Sequence, residues 1–498
     1  MAFCAAAHGA TTYYASPTGN DNNAGTTTNS PFKTLGHAAG HLAAGDTLYM
    51  RGGTYPSAGY IGVGCNGTPT ARIKILPYPG DPIPVIDWSF YSTSDYIWLS
   101  GSNVDLCGLE IRNSGKDGVD MVGRYTTVSQ CRIHNNKSAA VYFWSRYQTF
   151  QNNIVYSNCL VNYPHGAVDT WPAAVSLGGQ SGLTGNIIRG NTVYNNWGEG
   201  INCWWGSTNI IVEDNVSYDN FAANYYLDGS SGTLFQRNIS YLTAGNALLT
   251  NHSGLFTTGN EVSTNVANNN TIINNLFFQT SSSVGKAIQI FPWSTTKMTD
   301  VTFANNTIIN VPLYGPAASL IGTGNVFANN IFSSGNSVPG AGIIWSNNLW
   351  SGTRPANAVG TGDIVGQNPR VAATGPTGPG QLTADYFKLL SNSPAIDAGV
   401  AISQRTADYF GLAFVGASDL GAIEYGAGIT LAISNTADGA QLRVAGWGGT
   451  NTPAIYASTN LVAWTPICTS APAASPIQYL DSAATNFPTR VYRASIRP

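Results

Sequence analysis

Charged side chains are scarce in this sequence. Asp, Glu, Lys and Arg together make up 9% of the 498 residues, whereas about a quarter is usual in soluble domains. The formal net charge of −3 provides no electrostatic reason to bind nucleic acid or an anionic membrane. We therefore expect neither of them as a partner.

Long hydrophobic runs are missing as well, since no apolar stretch approaches the roughly 20 residues of a membrane-spanning helix. The opening MAFCAAAHGATTYYAS is similar to the tail of a secretory signal, with Ala7-His8-Gly9 as a small-residue cleavage site, although its basic region and full apolar region are missing. We expect residues 1–10 to be a signal remnant. The protein is then secreted or held at a bacterial cell surface.

Cysteine gives no sign of a metal or redox centre. The seven cysteines are scattered, odd in number and without CxxC spacing, which predicts buried free thiols and at most one disulfide. In contrast, glycine is abundant at 56 residues, hydrophobic residues make up 43% and aromatic residues 11%. This composition indicates a folded β-protein with many tight turns.

A repeat is the strongest signal in the chain, because asparagine recurs before short apolar runs such as QNNIVY, RGNTVY and ANNTII. The steps range from 18 residues (330 to 348) to 38 residues (153 to 191) and cluster near 24, about one coil of a parallel β-helix. We expect Asn to adopt the left-handed conformation at a bend and its amide to bond to the next amide. The repeated residues are Asn153, Asn191, Asn215, Asn238, Asn275, Asn306, Asn330 and Asn348, with Cys107 and Cys131 expected as packed core at the same place upstream.

A second strand can be aligned in each coil, beginning at Val119, Val141, Val175, Ile201, Tyr225 and Leu248. Side chains alternate between the two faces of a strand, so the first and third positions are predicted to face the core. The second and fourth positions then face outward in two columns. These columns are Asp120, Tyr142, Ser176, Asn202, Tyr226 and Val122, Trp144, Gly178, Trp204, Asp228.

The first 90 residues resemble the opening of pectate-lyase-like β-helix proteins, in YYASPTGNDNNAG, SPFKTLGHAAGHLAAGDTLYMRGGTY and ILPYPGDPIPVID. The resemblance implies an all-β, right-handed parallel β-helix. The segment from Lys33 to Ala44 is predicted to be a short helix that caps the open end of the solenoid.

The far end of the chain carries two further resemblances. FKLLSNSPAIDAG, Asp408, Gly411 and DLGAIEYG are similar to the closing module of secreted bacterial β-helix proteins. From about residue 427, YASTNLVAWTPI and FPTRVYRA resemble small C-terminal β-domains of large secreted bacterial proteins, and alternating strands between turns predict a sandwich. We expect a β-helix over 11–426 and an accessory domain over 427–498.

Aromatic residues are concentrated in the coils between about residues 116 and 254. Exposed aromatic rings on a sheet suit the binding of sugars, whose flat faces stack on them. The same coils contain polar side chains that suit a polysaccharide groove, with Glu213 and Asp214 excluded as structural. We predict that substrate is bound by Asp120, Arg124, Tyr142, Trp144, Arg146, Trp171, Asn202, Trp204, Trp205, Tyr226 and His252. Packing of these aromatic side chains under loops is the alternative.

The insert CLVNYPHGAVDTWP is predicted to overhang this face with His165 and Asp169. Hydrolysis of a glycoside needs two carboxyl groups, about 5–5.5 Å apart for retention or 6.5–9.5 Å for inversion. Asp120 and Asp228 are too far apart in the coil order, so the expected pair is Asp169 with Asp228 or Glu199. A secreted glycoside hydrolase is the preferred interpretation, with Asp169, Asp228, Glu199 and His165 as catalytic residues.

Two alternatives stay open. One is a lyase or epimerase acting on a uronate polysaccharide, which the family resemblance favours, with Lys116, Arg124, Arg146, His165 or His252 as candidate bases or cations. However, the acidic Ca²⁺ cluster and catalytic lysine motif of pectate lyases are not visible in the central coils, so no cofactor is expected unless Ca²⁺ accompanies a lyase reaction. The other is a non-catalytic glycan-binding protein. In every case a monomer is expected, since a capped solenoid buries its core alone.

Overall fold

The computed structural model describes residues 9–164, 171–243, 254–260, 267–280, 288–292, 297–315, 321–337, 342–436, 438–446, 452–469, 475–487 and 489–497. Three long parallel sheets, of 13, 13 and 11 strands, run side by side along most of the chain and are called sheets A, B and C. Most coils contribute one strand to each sheet, so the predicted parallel β-helix is confirmed. No helix in the described ranges is long and apolar enough to cross a membrane.

Sheet A begins with the first strand of the chain. Its strands, numbered in chain order along the whole molecule, are β1 Thr12–Ala15, β2 Thr47–Met50, β5 Ile73–Pro77, β8 Val104–Cys107, β11 Thr127–Ser129, β14 Thr149–Gln151, β18 Ile187–Arg189, β22 Ile211–Glu213, β25 Leu234–Gln236, β28 Thr271–Ile273, β31 Thr302–Ala304, β34 Asn325–Ala328 and β37 Ile343–Ser346.

Sheet B follows sheet A in each coil. Its strands are β3 Gly53–Pro56, β6 Pro84–Asp87, β9 Glu110–Arg112, β12 Arg132–His134, β15 Ile154–Tyr156, β19 Thr192–Tyr194, β23 Val216–Tyr218, β26 Ile239–Leu242, β29 Leu276–Gln279, β32 Thr307–Ile309, β35 Ile331–Phe332, β38 Leu349–Trp350 and β39 Ile364–Val365.

Sheet C closes the coil. Its strands are β4 Tyr60–Val63, β7 Tyr96–Leu99, β10 Val119–Met121, β13 Val141–Phe143, β16 Ala173–Leu177, β20 Glu199–Cys203, β24 Ala223–Asp228, β27 Gly254–Asn260, β30 Ile288–Pro292, β33 Pro312–Tyr314 and β36 Ser334–Ser337.

The predicted strand alignment holds through five coils of sheet C. Val119 pairs with Val141, which pairs with Val175, and the series continues through Ile201 and Tyr225. The next partner is Phe256, so the expected start at Leu248, which lies outside the described residues, is wrong. The insert before β27 is longer than the alignment from sequence allowed. The strand therefore begins later in the chain than expected, and Phe256 takes the position next to Tyr225.

Asparagine forms a continuous ladder at the corner between sheets A and B, as the repeat predicts. The backbone N–H of Asn191 donates to Oδ1 of Asn215 at 3.0 Å, and the Asn191 side-chain amide donates to the same oxygen at 3.0 Å. The pattern repeats from Asn153 to Asn348. Every ladder amide is buried, where an unpaired amide costs about 1–3 kcal/mol, so the ladder favours one coil alignment.

Two details of that prediction are wrong. The left-handed residue is the one before each ladder position, as at Asn152 (φ 56°) and Asp214 (φ 58°). Cys131 does occupy the ladder position, since its N–H donates to Oδ1 of Asn153 at 2.9 Å. Cys107, in contrast, ends β8 and is partly exposed, with its thiol 3.4 Å from Oε1 of Gln130. None of the six described cysteines forms a disulfide.

A short helix, α1 Leu35–Ala39, lies at the N-terminal end of the solenoid, within the predicted capping segment. Thr34 begins it, because its hydroxyl accepts a hydrogen bond from the N–H of His37 at 3.2 Å, which satisfies one of the free donors of the first turn. Leu35, Ala38 and Ala39 are buried and join the hydrophobic core. The helix therefore covers apolar side chains that the first coil would otherwise expose.

After β39 the chain turns back as an outer segment, residues 366–425, with a 3-10 turn at Ala384–Phe387. This segment packs on the outside of sheet B, where the ring of Tyr386 lies 5.0 Å from that of Phe278. Left-handed asparagines fix it to the corner between sheets A and B: the Asn274 amide donates to the carbonyl of Ala407 at 2.8 Å, and that of Asn329 to Val400 at 2.7 Å.

The C-terminal region forms two small antiparallel sheets with a common apolar core, in line with the predicted sandwich. Its limits, and those of the β-helix domain, stay predictions. The strands are β40 Thr430–Thr436, β41 Gly439–Ala445 and β44 Ile477–Asp481 in one sheet, and β42 Thr452–Ser458, β43 Thr465–Thr469 and β45 Val491–Arg497 in the other. Short elements elsewhere are the pair β17 Leu183–Thr184 and β21 Ser207–Thr208, and 3-10 turns at Leu160–Asn162 and Ser482–Asn486.

Candidate functional site

The outer face of sheet C carries a row of side chains that polar and aromatic residues dominate. Each member is the residue paired in register with the member on the neighbouring strand, so the row runs along the solenoid at about 4.8 Å a step. In order it contains Gly62, Trp98, Asp120, Tyr142, Ser176, Asn202, Tyr226, Thr257 and Gln289. The predicted outward column is thus present, and it continues beyond both predicted ends.

Lys116 lies beside this row. Its ammonium lies 3.4 Å from Oδ2 of Asp120 and 3.6 Å from Oδ2 of Asp117, and 4.2 Å from the centre of the Tyr96 ring. The lysine side chain is 38% exposed, whereas those of Asp117 and Asp120 are 6% and 0% exposed. One ammonium therefore faces solvent above two buried carboxylates, an arrangement called here the Lys116 cluster.

Burial raises the pKa of Asp120 to about 6, and the negative charge of Asp117 adds to that shift while Lys116 opposes it. The two carboxylates raise the pKa of Lys116 against the opposing effect of burial, so this lysine is an ammonium ion at neutral pH. Burial also raises the pKa of Tyr142 to about 12, which keeps its phenol protonated. One oxygen of Asp120, Oδ1, is buried without a hydrogen-bond partner.

Aromatic rings lie beside this cluster. The rings of Tyr142 and Trp144 are 4.8 Å apart, and those of Trp204 and Trp205 are 5.5 Å apart and nearly perpendicular. Trp144 is 40% exposed and Trp205 is 37% exposed, so both present apolar area to solvent. Exposed rings on a rigid sheet suit the stacking of sugar faces.

Two glycines make room for Trp204. A Cβ on Gly178 would lie 2.4 Å from the indole ring, and one on Gly179 would lie 2.6 Å from it. Both glycines have positive φ, 159° and 84°. The indole N–H of Trp204 donates to the Ser176 hydroxyl at 3.2 Å, which ties the ring to the neighbouring strand.

The other predicted polar residues occupy the next coils. Asn202 donates its amide to Glu199, which begins β20, and its own Oδ1 is buried without a hydrogen-bond partner. Tyr226 is nearly buried at 7% exposure, and Asp228, at the end of β24, pairs in register with Gly259. Arg124 and Arg146 form no ion pair with any residue in the described ranges.

Three predicted residues lie outside the described residues, namely His165, Asp169 and His252. Trp171 follows the predicted insert, is 51% exposed and has its ring 6.3 Å from that of Phe221. The assignments of these residues to catalysis or substrate binding stay predictions.

Two pairs of predicted carboxylates in the described coils lie too far apart for a hydrolase. Asp120 and Asp228 are on β10 and β24, four strands apart in sheet C, which is about 19 Å. Glu199 begins β20 and Asp228 ends the neighbouring β24, five residues beyond the partner of Glu199, which is roughly 16 Å along the strand. Both separations exceed the range that two-carboxylate hydrolysis needs.

The sequence reasoning missed the Lys116 cluster as a unit and the aromatic row toward the cap. Lys116 and Asp120 are four residues apart in a loop and strand, a spacing that carries no signal outside a helix. It also missed a second asparagine ladder at the corner between sheets B and C, formed by Asn136, Asn158, Asn196 and Asn220. Here a signal exists, since three of these residues lie five residues after a member of the first ladder.

The described residues do not fit Ca²⁺. This ion takes about 6–8 oxygen ligands, and no group of three or more His, Cys, Asp or Glu side chains in the described ranges has the geometry to hold a metal ion. Between Asp117 and Asp120 the Lys116 ammonium already occupies the place of a cation.

The comparisons with known proteins agree with the fold. The family described as "Pel9A-like, right handed beta helix region" matches residues 13–283, more than half of the chain. The chain is 27% identical to pectate lyase PEL9 of Emericella nidulans over 202 residues, covering 39% of this chain and 49% of that protein. It is 23% identical to pectate lyase L of Dickeya dadantii over 437 residues, covering 83% and 90%.

A solved structure of pectate lyase Pel9A has a TM-score of 0.51 at 17% sequence identity, covering 84% of this chain and 97% of that one. The molecule is a right-handed parallel β-helix of the pectate-lyase-like class. More narrowly, the chain belongs to the Pel9A-like right-handed β-helix family. Its alignment with the Emericella relative spans about half of that protein.

Proposed function

We propose that this protein is a polysaccharide lyase that cleaves a uronate-containing glycan on the outer face of sheet C. Membership of the Pel9A-like family and relatives that are pectate lyases support a lyase over the hydrolase that the sequence favoured. The observation that carries the proposal is the Lys116 cluster, because it holds an ammonium group in place beside rings that suit a sugar chain.

β-Elimination removes the proton from the carbon next to the uronate carboxylate. A C=C bond forms, the bond to the leaving glycosidic oxygen breaks, and that oxygen takes up a proton. The proton to be removed becomes more acidic when a cation neutralises the carboxylate. We assign this neutralisation to Lys116, whose ammonium is 38% exposed, and the binding of neighbouring uronates to Arg124 and Arg146.

Lys116 is a poor proton acceptor because its pKa is raised by Asp117 and Asp120. We assign the base to His165 in the predicted insert, since imidazole titrates near neutral pH. Asp120 is not the base, because its side chain is fully buried. In this scheme Asp117 and Asp120 hold the lysine in place.

The remaining assignments follow from the proposal. We propose that the substrate is a polysaccharide bound along the outward row of sheet C, and that the reaction needs no cofactor. A polymer of that size is met outside the cell, so we propose that the protein works as a secreted or surface enzyme, and as a monomer.

The first test is a screen of purified protein on polygalacturonate and on neutral polysaccharides, with reducing ends and ultraviolet absorbance read together. The proposal expects both signals on the uronate polymer, because β-elimination leaves a conjugated double bond. Reducing ends without absorbance would support a hydrolase instead. Binding without either signal would support a glycan-binding protein.

A chelator tests the part assigned to Lys116. Because a lysine supplies the charge, activity on polygalacturonate should be unchanged in excess EGTA. If EGTA abolishes activity and Ca²⁺ restores it, a metal neutralises the carboxylate and the assignment to Lys116 is wrong.

A further inference from the structure

A cavity of about 270 Å³ lies between α1 and the first strand of sheet C. Leu35, Ile61 and Ile86 give it apolar walls, while Tyr60 and Lys33 line its rim. No predicted site residue belongs to it. It is called here the cap pocket.

The cap pocket contains the two groups that recognise an acidic sugar. Tyr60 is 63% exposed, so its ring is available for stacking. Lys33 is exposed and forms no ion pair with any described residue. A neighbouring carboxylate, that of Asp21, does not line the pocket and accepts hydrogen bonds from the N–H groups of Lys33 and Thr34 and from the hydroxyl of Thr34.

Ring contacts connect the cap pocket to the Lys116 cluster. The ring of Tyr60 stacks on that of Tyr96 at 6.2 Å, and the Lys116 ammonium lies 4.2 Å from the centre of the Tyr96 ring. Gly62 faces outward on the same strand as Tyr60, next to Trp98, and has no side chain to obstruct the path. Two strand steps separate β4 from β10, about 10 Å in all.

We infer that the cap pocket binds a hexuronate unit of the same sugar chain that is cleaved beside Lys116. This inference rests on the proposed function and extends it. Tyr60 stacks on the sugar face and Lys33 pairs with its carboxylate. The enzyme therefore prefers chains long enough to reach both Lys116 and Lys33, and uronate chains over neutral ones.

The test compares the intact protein with Tyr60→Ala and Lys33→Gln on short and long oligogalacturonates, measuring the unsaturated product. Both side chains are exposed, so both variants should fold. Binding shared by the ground state and the transition state changes KM alone. Each variant should therefore raise KM for long chains about tenfold, equivalent to ~1.4 kcal/mol, with kcat and the kinetics on short chains unchanged.

Matched controls are Tyr91→Ala, an equally exposed ring at 69%, and Lys74→Gln on the outer face of sheet A. Neither residue lines the cap pocket, so both variants should match the wild type. If the wild type cleaves long chains and the cap-pocket variants do so with unchanged KM, the inference is overturned while the proposed function stands.

If the wild type cleaves nothing, the proposed function fails and binding decides the inference separately. Calorimetry with a long oligogalacturonate should then show a Kd that Tyr60→Ala and Lys33→Gln weaken about tenfold and the controls leave unchanged. Absence of binding by the wild type would overturn the inference as well. The Kd of a neutral oligosaccharide of equal length should be the same for Lys33→Gln and the wild type. An equal weakening for the neutral and the uronate chains would contradict the pairing of Lys33 with a carboxylate.

Discussion

At the scale of single residues, the Lys116 cluster decides what the face of sheet C can do. A lone exposed lysine is a mobile point charge, whereas Lys116 is held by Asp117, Asp120 and the ring of Tyr96. Such preorganised charge is what stabilises negative charge that develops during a reaction. The two buried carboxylates thus act through the lysine and not on the sugar.

Replacement of the lysine tests this assignment. Lys116→Ala should lower kcat/KM on polygalacturonate about 100-fold or more, because it removes one preorganised cation. Lys116→Arg should keep part of the activity. Lys137→Ala, an exposed lysine on the next coil, is the matched control and should change kcat/KM less than twofold. Equal losses in Lys116→Ala and Lys137→Ala would contradict the assignment.

Asp120 gives the activity a pH dependence. With its pKa near 6, Asp120 is ionised above that pH and holds the lysine, whereas below it the protonated form no longer does. We expect kcat/KM to fall as the pH drops through about 6. In Asp120→Asn the fall in kcat/KM should become shallower, because only the protonation of the proposed base His165 remains, and the activity at neutral pH should be lower, with Asp105→Asn in sheet A as the control. A fall as steep as that of the wild type in Asp120→Asn would show that Asp120 does not contribute to it.

At the scale of elements, the asparagine ladder holds neighbouring coils in register. Asn215 accepts the backbone N–H and the side-chain amide of Asn191 with one oxygen. Asn215→Ala leaves two buried donors without an acceptor and should lower the free energy of unfolding by about 2–4 kcal/mol, because each unpaired group costs about 1–3 kcal/mol. Denaturant titration measures this, with exposed Asn22→Ala as the control, and a loss below about 0.5 kcal/mol would contradict the ladder's role.

The outer segment depends on a buried charge cluster. Arg405 and Glu424 are 3.6 Å apart with side chains 1% and 0% exposed, and Arg405 also donates to Asn274 at 2.8 Å. Burial raises the pKa of Glu424 from 4.5 to about 7 and that of Asp408 from 3.8 to about 6. The folded protein therefore binds these protons more tightly than the unfolded chain does.

Because Glu424 and Asp408 hold their protons to higher pH in the folded protein than in the unfolded chain, protonation stabilises the fold below their folded pKa values. The free energy of unfolding should therefore decrease as the pH rises from about 4 to about 7 and these protons are lost. Glu424→Gln should flatten the upper part of the dependence in thermal unfolding measured at several pH values. Asp385→Asn, on the exposed surface of the same segment, should leave it unchanged. A stability that increases with pH in this window would contradict the assignment.

At the scale of the whole molecule, local sequence determines the scaffold far better than the site. A side chain that recurs once per coil marks a β-helix because each coil repeats the same hydrogen bonds, and the ladder from Asn153 to Asn348 shows this. The alternation of side chains between the two faces of each strand correctly predicted the outward row from Asp120 to Tyr226. The match ends after Tyr226, because a longer insert interrupts the repeat and the partner of Tyr225 is Phe256 instead of Leu248.

The contacts of the site occur once each, so they leave no repeated pattern in the sequence comparable to the asparagine ladder. The contact between Tyr60 and Tyr96 joins residues one coil apart, and the Lys116 cluster depends on the direction of a turn before β10. Carboxylate chemistry was predicted from residue types alone, and this favoured a hydrolase because acids outnumber bases on the face. The coil order had already excluded the pairing of Asp120 with Asp228, and the strand order agrees with it. The expected pairing of Asp169 with Asp228 or Glu199 stays a prediction, because Asp169 lies outside the described residues.

The C-terminal sandwich offers a test at the same scale. Its core is its own, and no described residue of the Lys116 cluster or the cap pocket lies in it. Removal of residues 427–498 should therefore leave kcat/KM on soluble polygalacturonate within about twofold, a change below about 0.4 kcal/mol. Size-exclusion chromatography should show a folded monomer before kinetics are compared, and a loss of activity in a folded truncated protein would place part of the site in that domain.

The ladder has a consequence for how such proteins diversify. Its hydrogen bonds have nearly the same length whether the partners are 18 residues apart, as for Asn330 and Asn348 at 3.0 Å, or 38 apart, as for Asn153 and Asn191 at 2.9 Å. The scaffold is thus indifferent to how much chain is inserted elsewhere in the coil. Descendants of one ancestral solenoid can exchange the segments that overhang sheet C, and so acquire new substrates, without altering the corner that keeps the coils aligned.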